Sequence, residues 1–459
     1  MKSIVFLLLF SLSSAFFQIK PPVFCRDIRR IIQPDIRKNI YADNSNESII
    51  KNISGFYGLV GPDINKNAIS TLYELFTGDG VIQGIFFDNG NMTFVKHYIK
   101  TEKWVHESNY GKFSKNVFLL PFYIAAYKMN MIPNILGLAN TAFLTIRDKT
   151  FVLFERDYPY QIHLDFIKNQ ISTLKKVVIN NVNTISGHAK FISDKIYSID
   201  YNILFKNVRL SQFDGDFREM DSKTIGVHYL PVIHDFAVIN NAVLFLDAPL
   251  QFYLPLPFSF YSIPIRSNLK KPTYLHLYNY TTRLHTEYYS DESFYIFHYG
   301  DVSAADGLIE IYCPVYDDLQ FTSLNLEGKY RKLTLDLLSK RINIEKNPVL
   351  EKMNLDFPIK WGEYVILRLI VNRKIAGFVI CRGLEVVRKI DLPANRAFSG
   401  EPTLVDISGV SYLMGFSYDK SDNGYLSLVG LEGDSYVEVD LGIEPLIGFH
   451  SAFLRPSAQ

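Results

Sequence analysis

Cysteine is scarce in this chain: Cys25, Cys313 and Cys381 are the only three among 459 residues. An odd, sparse set is no disulfide framework; it leaves one bridge or three free thiols. Charge of one sign is missing too. The formal net charge is +1, which gives no broad basic footprint, so nucleic-acid binding is a poor reading. Neither His-Glu-x-x-His nor Cys-x-x-Cys spacing occurs, so any metal site must be assembled from residues distant in sequence. Beyond the first residues no stretch qualifies as a transmembrane helix.

What is present is apolar bulk. Hydrophobic residues make up 48% of the chain and aromatics 14%, ample for a large core and unlike a disordered segment. The opening MKSIVFLLLFSLSSAFFQ has a positive Lys2, an apolar run Ile4–Leu12 and small residues at Ser13-Ser14-Ala15. This predicts a signal peptide over residues 1–15 and entry into the secretory pathway, secreted or lumenal. The competing reading is an uncleaved anchor, but the run is short against the roughly 20 residues a bilayer needs. Sequons at Asn46, Asn52, Asn91 and Asn279 fit a secretory route. Residues 16–54, polar and charged from Pro21 on, read as an N-terminal arm, and 55–459 as one domain.

From Gly55 onward short β-rich runs recur around turn residues. Val81–Ile99 folds about Asn-Gly, Thr141–Glu155 about Arg-Asp-Lys, Phe236–Asp247 about Asn-Asn, and Tyr425–Leu441 about Glu-Gly-Asp. Each is a hairpin signature. The better helix candidates are Ile171–Val178 and Tyr330–Ile342. Many hairpins and scarce helices indicate an all-β fold that is closed or radial, such as a β-propeller, which handles its sheet edges by repetition around an axis. No sharp repeat sets a blade count. Two segments, 116–139 and 249–265, are too apolar for ordinary loops and rich in aromatics, with proline in both. They are either core filling or an exposed patch that dips into a membrane surface and admits a greasy substrate.

Ten histidines are present. His234 in PVIHDFAVI, His298 in FYIFHYGDV and His450 in LIGFHSAFL each sit inside an apolar strand-like run. A buried imidazole needs a partner or a metal. His188, in TISGHAKFI, is less apolar and weaker on its own. Glu155 in FVLFE, Asp356 in NLDFPI and Glu401 in FSGEPTLV form a second set. Carboxylates of this sort take the other N–H of a metal-bound imidazole and fix its tautomer.

Taken in order, these motifs resemble the carotenoid cleavage oxygenase family from about Gly55 to Leu454. The resemblance is carried by GFYGLVGPDI (Gly55–Ile64), ELFTGDGVIQGIFFDNG (Glu74–Gly90), YIKTEK (Tyr98–Lys103), LANTAF, FVLFERDYPYQI, SGHAKF and IHDFAVINNAVLFLDAPL (Ile233–Leu250). FYIFHYGDVSAADGLIEIYCPVYDD (Phe294–Asp318), GEPTLV and GFHSAFL complete it. The resemblance implies a seven-bladed β-propeller with a helical and loop cap over one face. It also implies one Fe(II) held on the axis by His188, His234, His298 and His450, with Glu155, Asp356 and Glu401 behind them. Asp356 departs from the family's usual Glu by one methylene, so its bond to a ligand histidine is left as direct, bridged or lost. Leu59-Val60, Ala189 and Ser451 are further departures.

The activity implied is O2-dependent cleavage of a carbon–carbon double bond to aldehydes or ketones, with an apolar tunnel placing a polyene and excluding water. Family members that cleave hydroxylated stilbenes resemble one another in a Lys just before the first carboxylate; here that place is Phe154. This favours a carotenoid or apocarotenoid over a phenolic stilbene. Alternatives within the resemblance are a retinyl-ester isomerohydrolase, or a stilbene-cleaving member. A third is a propeller that binds apolar ligands without turnover. The expected partners are polyene, O2 and a membrane surface, with no protein partner.

Overall fold

The computed structural model describes residues 35–43, 46–64, 69–253 and 262–456. The segment read as a signal peptide, Cys25, and residues 254–261 of the apolar stretch 249–265 lie outside these residues. Strands dominate, and they form antiparallel sheets, mostly of four strands.

Among the described residues seven blades can be counted, with the nine-stranded sheet read as two blades and the two-stranded sheet Leu250–Phe252 with Ile265–Ser267 set aside. Blade 1 combines Gly55–Asp63, Asp79–Asp88 and Asn91–Tyr98 with an outer strand Ile36–Ile40 and the C-terminal strand Ser451–Leu454. Blade 2 runs from Ala142–Ile146 to Gln170–Lys176, blade 3 from Lys190–Ile192 to Glu219–Gly226, and blade 4 from Ala237–Ile239 to His285–Ser290. Blade 5 runs from Asp301–Ala305 to Ile342–Glu345. Blades 6 (Leu355–Trp361 to Glu385–Asp391) and 7 (Thr403–Ile407 to Tyr436–Asp440) are bridged by the short strand Ala397–Phe398 into one nine-stranded sheet. The end of the chain pairs with its beginning: Ser451–Leu454 lies antiparallel to Phe56–Leu59.

The four hairpins anticipated from turn chemistry are all formed. Asn89-Gly90 and Asn240-Asn241 take positive φ at both turn positions, as a two-residue hairpin with right-handed strand twist requires. The two helix candidates are corrected. Residues 170–176 form the outer strand of blade 2, and Lys329–Asp336 is a strand of blade 5. In the latter, buried Leu333 and Leu335 alternate with half-buried Lys332 and Thr334, a period of two. The chain then reverses at Leu337–Arg341, where Lys340 has φ of 60°. Within residues 16–54, Ile36–Ile40 pairs with Asn91–Tyr98 as the edge of blade 1 and Glu47–Ile50 is helical.

Among the described residues, helical segments are few and short. Glu102–Tyr110 starts at Thr101, whose hydroxyl accepts the Trp104 N–H, and stops at Gly111 with φ of 99°. Its Lys103 is buried, with Nζ 2.8 Å from Asp79 and 3.0 Å from Glu107. Burial opposes the charge, but the two carboxylates win and raise its pKa. Glu107 in turn accepts the Phe113 N–H, so the ion cluster ties blade 1 to the segment leading into residues 117–128. A 3-10 turn Val117–Leu119 and the helix Leu120–Lys128 follow there, with Phe118, Phe122 and Ile124 largely exposed while Tyr123 is buried. This segment is therefore an exposed apolar surface rather than core filling. Among the described residues, no helix is long and apolar enough to cross a membrane.

Lys103→Met should leave two buried carboxylates without their cation and destabilise the fold by about 3–5 kcal/mol. Urea unfolding at pH 7 checks this; a loss below about 1 kcal/mol would show that the cluster is not truly desolvated.

Candidate metal centre

Each of the four singled-out histidines sits at the entrance to an innermost strand. His188 precedes Lys190–Ile192 of blade 3, His234 precedes Ala237–Ile239 of blade 4, and His298 precedes Asp301–Ala305 of blade 5. His450 immediately precedes Ser451–Leu454 of blade 1. The other three blades supply the carboxylates: Glu155 follows Lys149–Leu153 of blade 2, Asp356 lies in Leu355–Trp361 of blade 6, and Glu401 precedes Thr403–Ile407 of blade 7. Seven blades thus present seven ionisable side chains toward one point.

The four imidazoles converge, with one nitrogen from each lying within 4.8 Å of the others. His188 Nε2 and His234 Nε2 are 3.0 Å apart. On three rings the opposite nitrogen is taken: His234 Nδ1 by Glu155 at 2.8 Å, His298 Nδ1 by Asp356 at 3.0 Å, and His450 Nδ1 by Glu401 at 3.1 Å. Each carboxylate favours the Nδ1–H tautomer, which turns an Nε2 lone pair inward. His298 Nε2 is buried and has no hydrogen-bond partner. A buried polar atom of that kind calls for an explanation, and a cation at the point of convergence supplies one. The set could hold a divalent metal with imidazole preference.

Electrostatics agree. Burial, then repulsion from His450, His234 and His298, pushes the His188 pKa far down, so that ring is neutral. Burial also lowers His298, against the pull of Asp356. Asp356 itself is desolvated, yet His298, Arg368 and Tyr316 hold its pKa down to about 2. His234 goes the other way: burial is overcome by Glu155, and its pKa rises. A metal therefore competes with a proton there.

The shorter Asp356 keeps a direct bond to His298. It does so at a bulge between Asp356 and Ile359, where Phe357 has φ of 52°. The Phe357 ring consequently turns onto His298 and His450, with centroids 4.3 and 5.0 Å away. The buried Arg368 guanidinium lies over that ring and faces Asp356 and Glu401. Neither Phe357 nor Arg368 stood out in sequence; an aromatic after an acid and an arginine in an apolar strand have no local signature. Asp235 was also missed, although it adjoins His234. It bonds Lys190 at 2.7 Å, two residues beyond His188, and accepts the Tyr299 N–H beside His298 at 3.4 Å. One carboxylate thereby braces three histidine-bearing segments.

Backbone contacts set the remaining positions. A Cβ on Gly61 would fall 2.5 Å from Gly448 Cα, so two glycines are needed where blade 1 abuts the turn carrying His450. Phe449 N–H donates to Val60 and Val60 N–H to the His450 carbonyl. At Gly187 a Cβ would crowd the Glu155 carboxyl at 3.0 Å.

A cavity of about 2070 Å³ reaches the centre and includes His234, His298, His450 and Phe154 in its wall. Near the centre Phe76, Phe297, Phe357 and Phe449 line it. Its wall also contains exposed apolar Phe118, Ile124, Leu204 and Phe252 and exposed basic Arg373, Lys374 and Lys389.

Residues 49–365 match the family model for retinal pigment epithelial membrane protein. Among curated relatives, carotenoid 9,10(9',10')-cleavage dioxygenase 1 of Arabidopsis thaliana is 26% identical over 218 residues, 44% of this chain and 40% of that protein. Carotenoid cleavage oxygenase 1 of Neurospora crassa is 25% identical over 215 residues, covering 44% of this chain and 38% of its own. The chain thus matches about two-fifths of the length of these relatives. Among solved structures, a variant of the Synechocystis apocarotenoid oxygenase superposes with a TM-score of 0.72 at 16% identity, over 92% of this chain and 97% of that one. The lignostilbene dioxygenase of Pseudomonas brassicacearum gives 0.73 at 14% identity, over 95% and 99%. Both show the shared fold.

Replacing His234 by Ala should abolish iron uptake after anaerobic Fe(II) loading, whereas His163→Ala, on an exposed site of blade 2, should leave it unchanged. Equal iron in the two variants would refute the assignment. Asp356→Ala should weaken iron affinity about 10–100-fold, and wild-type uptake should fall as pH drops and His234 is protonated, measured by competition with a chelator.

Proposed function

From the premise that this chain belongs to the retinal pigment epithelial membrane protein family, that of the carotenoid cleavage oxygenases, we propose that it is a non-haem Fe(II) dioxygenase. Its substrate would be a carotenoid or apocarotenoid, cut at a carbon–carbon double bond. Both atoms of O2 end in products, one in each new carbonyl, so no other oxidant is needed. The observation that carries the reading is the convergence of His188, His234, His298 and His450, with three of the rings held by carboxylates.

Iron bound by these four residues would supply the activation of O2, which no side chain here provides. The chain supplies the rest. Glu155, Asp356 and Glu401 hold the rings in one tautomer. With Arg368 they also balance charge: three carboxylates against a divalent cation and one guanidinium leave the buried centre neutral. Phe76, Phe297, Phe357 and Phe449 give the cavity a dry, aromatic wall beside the imidazoles. Such a wall suits a polyene and keeps water from the reacting carbons. Phe154 puts an apolar ring where a phenol would need a cation, which supports a polyene over a hydroxylated stilbene.

Entry is proposed beside the exposed apolar residues of the cavity wall, Phe118, Ile124, Leu204 and Phe252. Phe122 and Met129 on the helical segment and Phe205 next to Leu204 are exposed as well. Exposed apolar surface on this scale marks a membrane or partner contact, and at a greasy cavity mouth a membrane surface is the fitting choice. The sequence-level expectation of secretory entry stands beside this as part of the same proposal.

Iron-loaded protein should bleach at least one member of a carotenoid and apocarotenoid panel only when O2 is present, with carbonyl products smaller than the substrate by mass spectrometry. Retention of every substrate would remove the cleavage assignment. Products that keep the full carbon skeleton without O2 would indicate an isomerohydrolase instead. Phe118→Asp with Phe122→Asp should cut binding to phospholipid vesicles at least tenfold in a flotation assay, with iron content unchanged; undiminished binding would place the membrane contact elsewhere.

A further inference from the structure

The outer half of blade 4 carries a second group of histidines and carboxylates, none of which lines the cavity. His276 lies on the strand Thr273–Asn279, between Phe245 on one neighbouring strand and Glu287 on the other. Its side chain is wholly buried. His276 Nε2 is 3.4 Å from Asp247 Oδ2, and Asp247, itself buried, also accepts the backbone N–H groups of His228 and Tyr229. The neighbouring carboxylate therefore favours Nε2–H on His276. Its Nδ1 lone pair then points at the outer strand, 3.0 Å from His285 Nε2 and 3.8 Å from Glu287 Oε1.

The third member comes from the link between blades 3 and 4. His228 Nε2 is 3.2 Å from Glu287 Oε2, and its ring is stacked on Tyr274 at 4.1 Å and 22°. One ligand atom from each of His228, His276 and Glu287 lies within 4.8 Å of the others. Tetrahedral coordination with bonds near 2.1 Å needs ligand atoms about 3.4 Å apart. Glu287 reaches both rings at about that spacing, with Oε2 3.2 Å from His228 Nε2 and Oε1 3.8 Å from His276 Nδ1. A buried imidazole with one nitrogen committed to a carboxylate and the other turned toward further donors is also the arrangement found at the propeller axis. His228 and Glu287 side chains are 42% exposed, which leaves an entry path.

We propose that His228, His276 and Glu287 form a second cation site, for zinc or a similar borderline divalent metal. Two imidazoles and one carboxylate suit such a metal. They are too poor in oxygen for calcium or magnesium. A cation there replaces the hydrogen bonds within the cluster by bonds to itself. It also fastens the link after blade 3 to the outer strand of blade 4, and that link runs on to His234. The site is independent of the proposed activity.

The test uses full-length protein, loaded anaerobically with Fe(II), stripped of loosely held metal and titrated with Zn²⁺ at neutral pH, with metal per chain read by elemental analysis. One zinc per chain should bind at micromolar concentration or tighter without displacing iron. His228→Gln and Glu287→Gln, each at a half-exposed position, should weaken it at least tenfold with unchanged iron and unchanged thermal unfolding. His234→Ala should lose iron and keep zinc, which separates this site from the axial one even if the axial reading fails. Zinc that only displaces iron, no zinc at these concentrations, or full zinc binding in the double variant H228Q/E287Q would each overturn the proposal.

Discussion

Four imidazole lone pairs aimed at one buried point are the constraint on which the rest of this structure depends. Each ring left alone would take a proton or a hydrogen bond from water, and the interior offers neither to His298 Nε2. Protonating all four would stack positive charges within a few ångströms in a low-dielectric setting, which costs far more than the fold can spare. Neutral rings with defined tautomers are the alternative. They need a carboxylate behind them, and Glu155, Asp356 and Glu401 provide one for three of the four. A propeller meets this demand because every blade brings an inner strand to the same axis.

The motif residues read from sequence turn out to be largely the scaffold of that convergence. Asn140, fully buried, donates both amide hydrogens to the Phe76 and Gly78 carbonyls, fixing Phe76 near His234 and Phe449. Asp79 and Lys103, from two separate motifs, meet in one buried ion cluster. Gly61 and Gly448 let two backbones touch so that His450 arrives at the right depth. None of these residues would bind a metal, yet each sets where a ligand sits. A change at any of them should act through geometry.

How much of this was legible in the sequence differs by residue. His234, His298 and His450 announced themselves because an imidazole inside an apolar run must be buried and must find a partner. His188 did not, since it sits on a turn, with its own N–H on Ser186 Oγ and polar flanks; family resemblance supplied it. Hairpins were readable wherever Asn or Gly accepted positive φ. Residues 171–178 and 330–342 misled because their apolar spacing fits a helix as well as a strand until the partner strands are known. The edge strand Ile36–Ile40 was hidden for a related reason: it is mostly exposed, and only Ile40 is buried. Phe357 and Arg368 depend on a bulge, a tertiary feature without a local signal. The reach of Asp356 likewise had to be seen in three dimensions.

The central claim is that the four histidines together form the metal's protein ligand set. The most direct measurement is Fe K-edge X-ray absorption on the anaerobically loaded wild-type protein. Multiple scattering should report four imidazoles around a single Fe(II), with no sulfur and no second metal nearby. A fit with two or fewer imidazoles, or with carboxylate oxygens replacing them as the main protein ligands, would contradict the account.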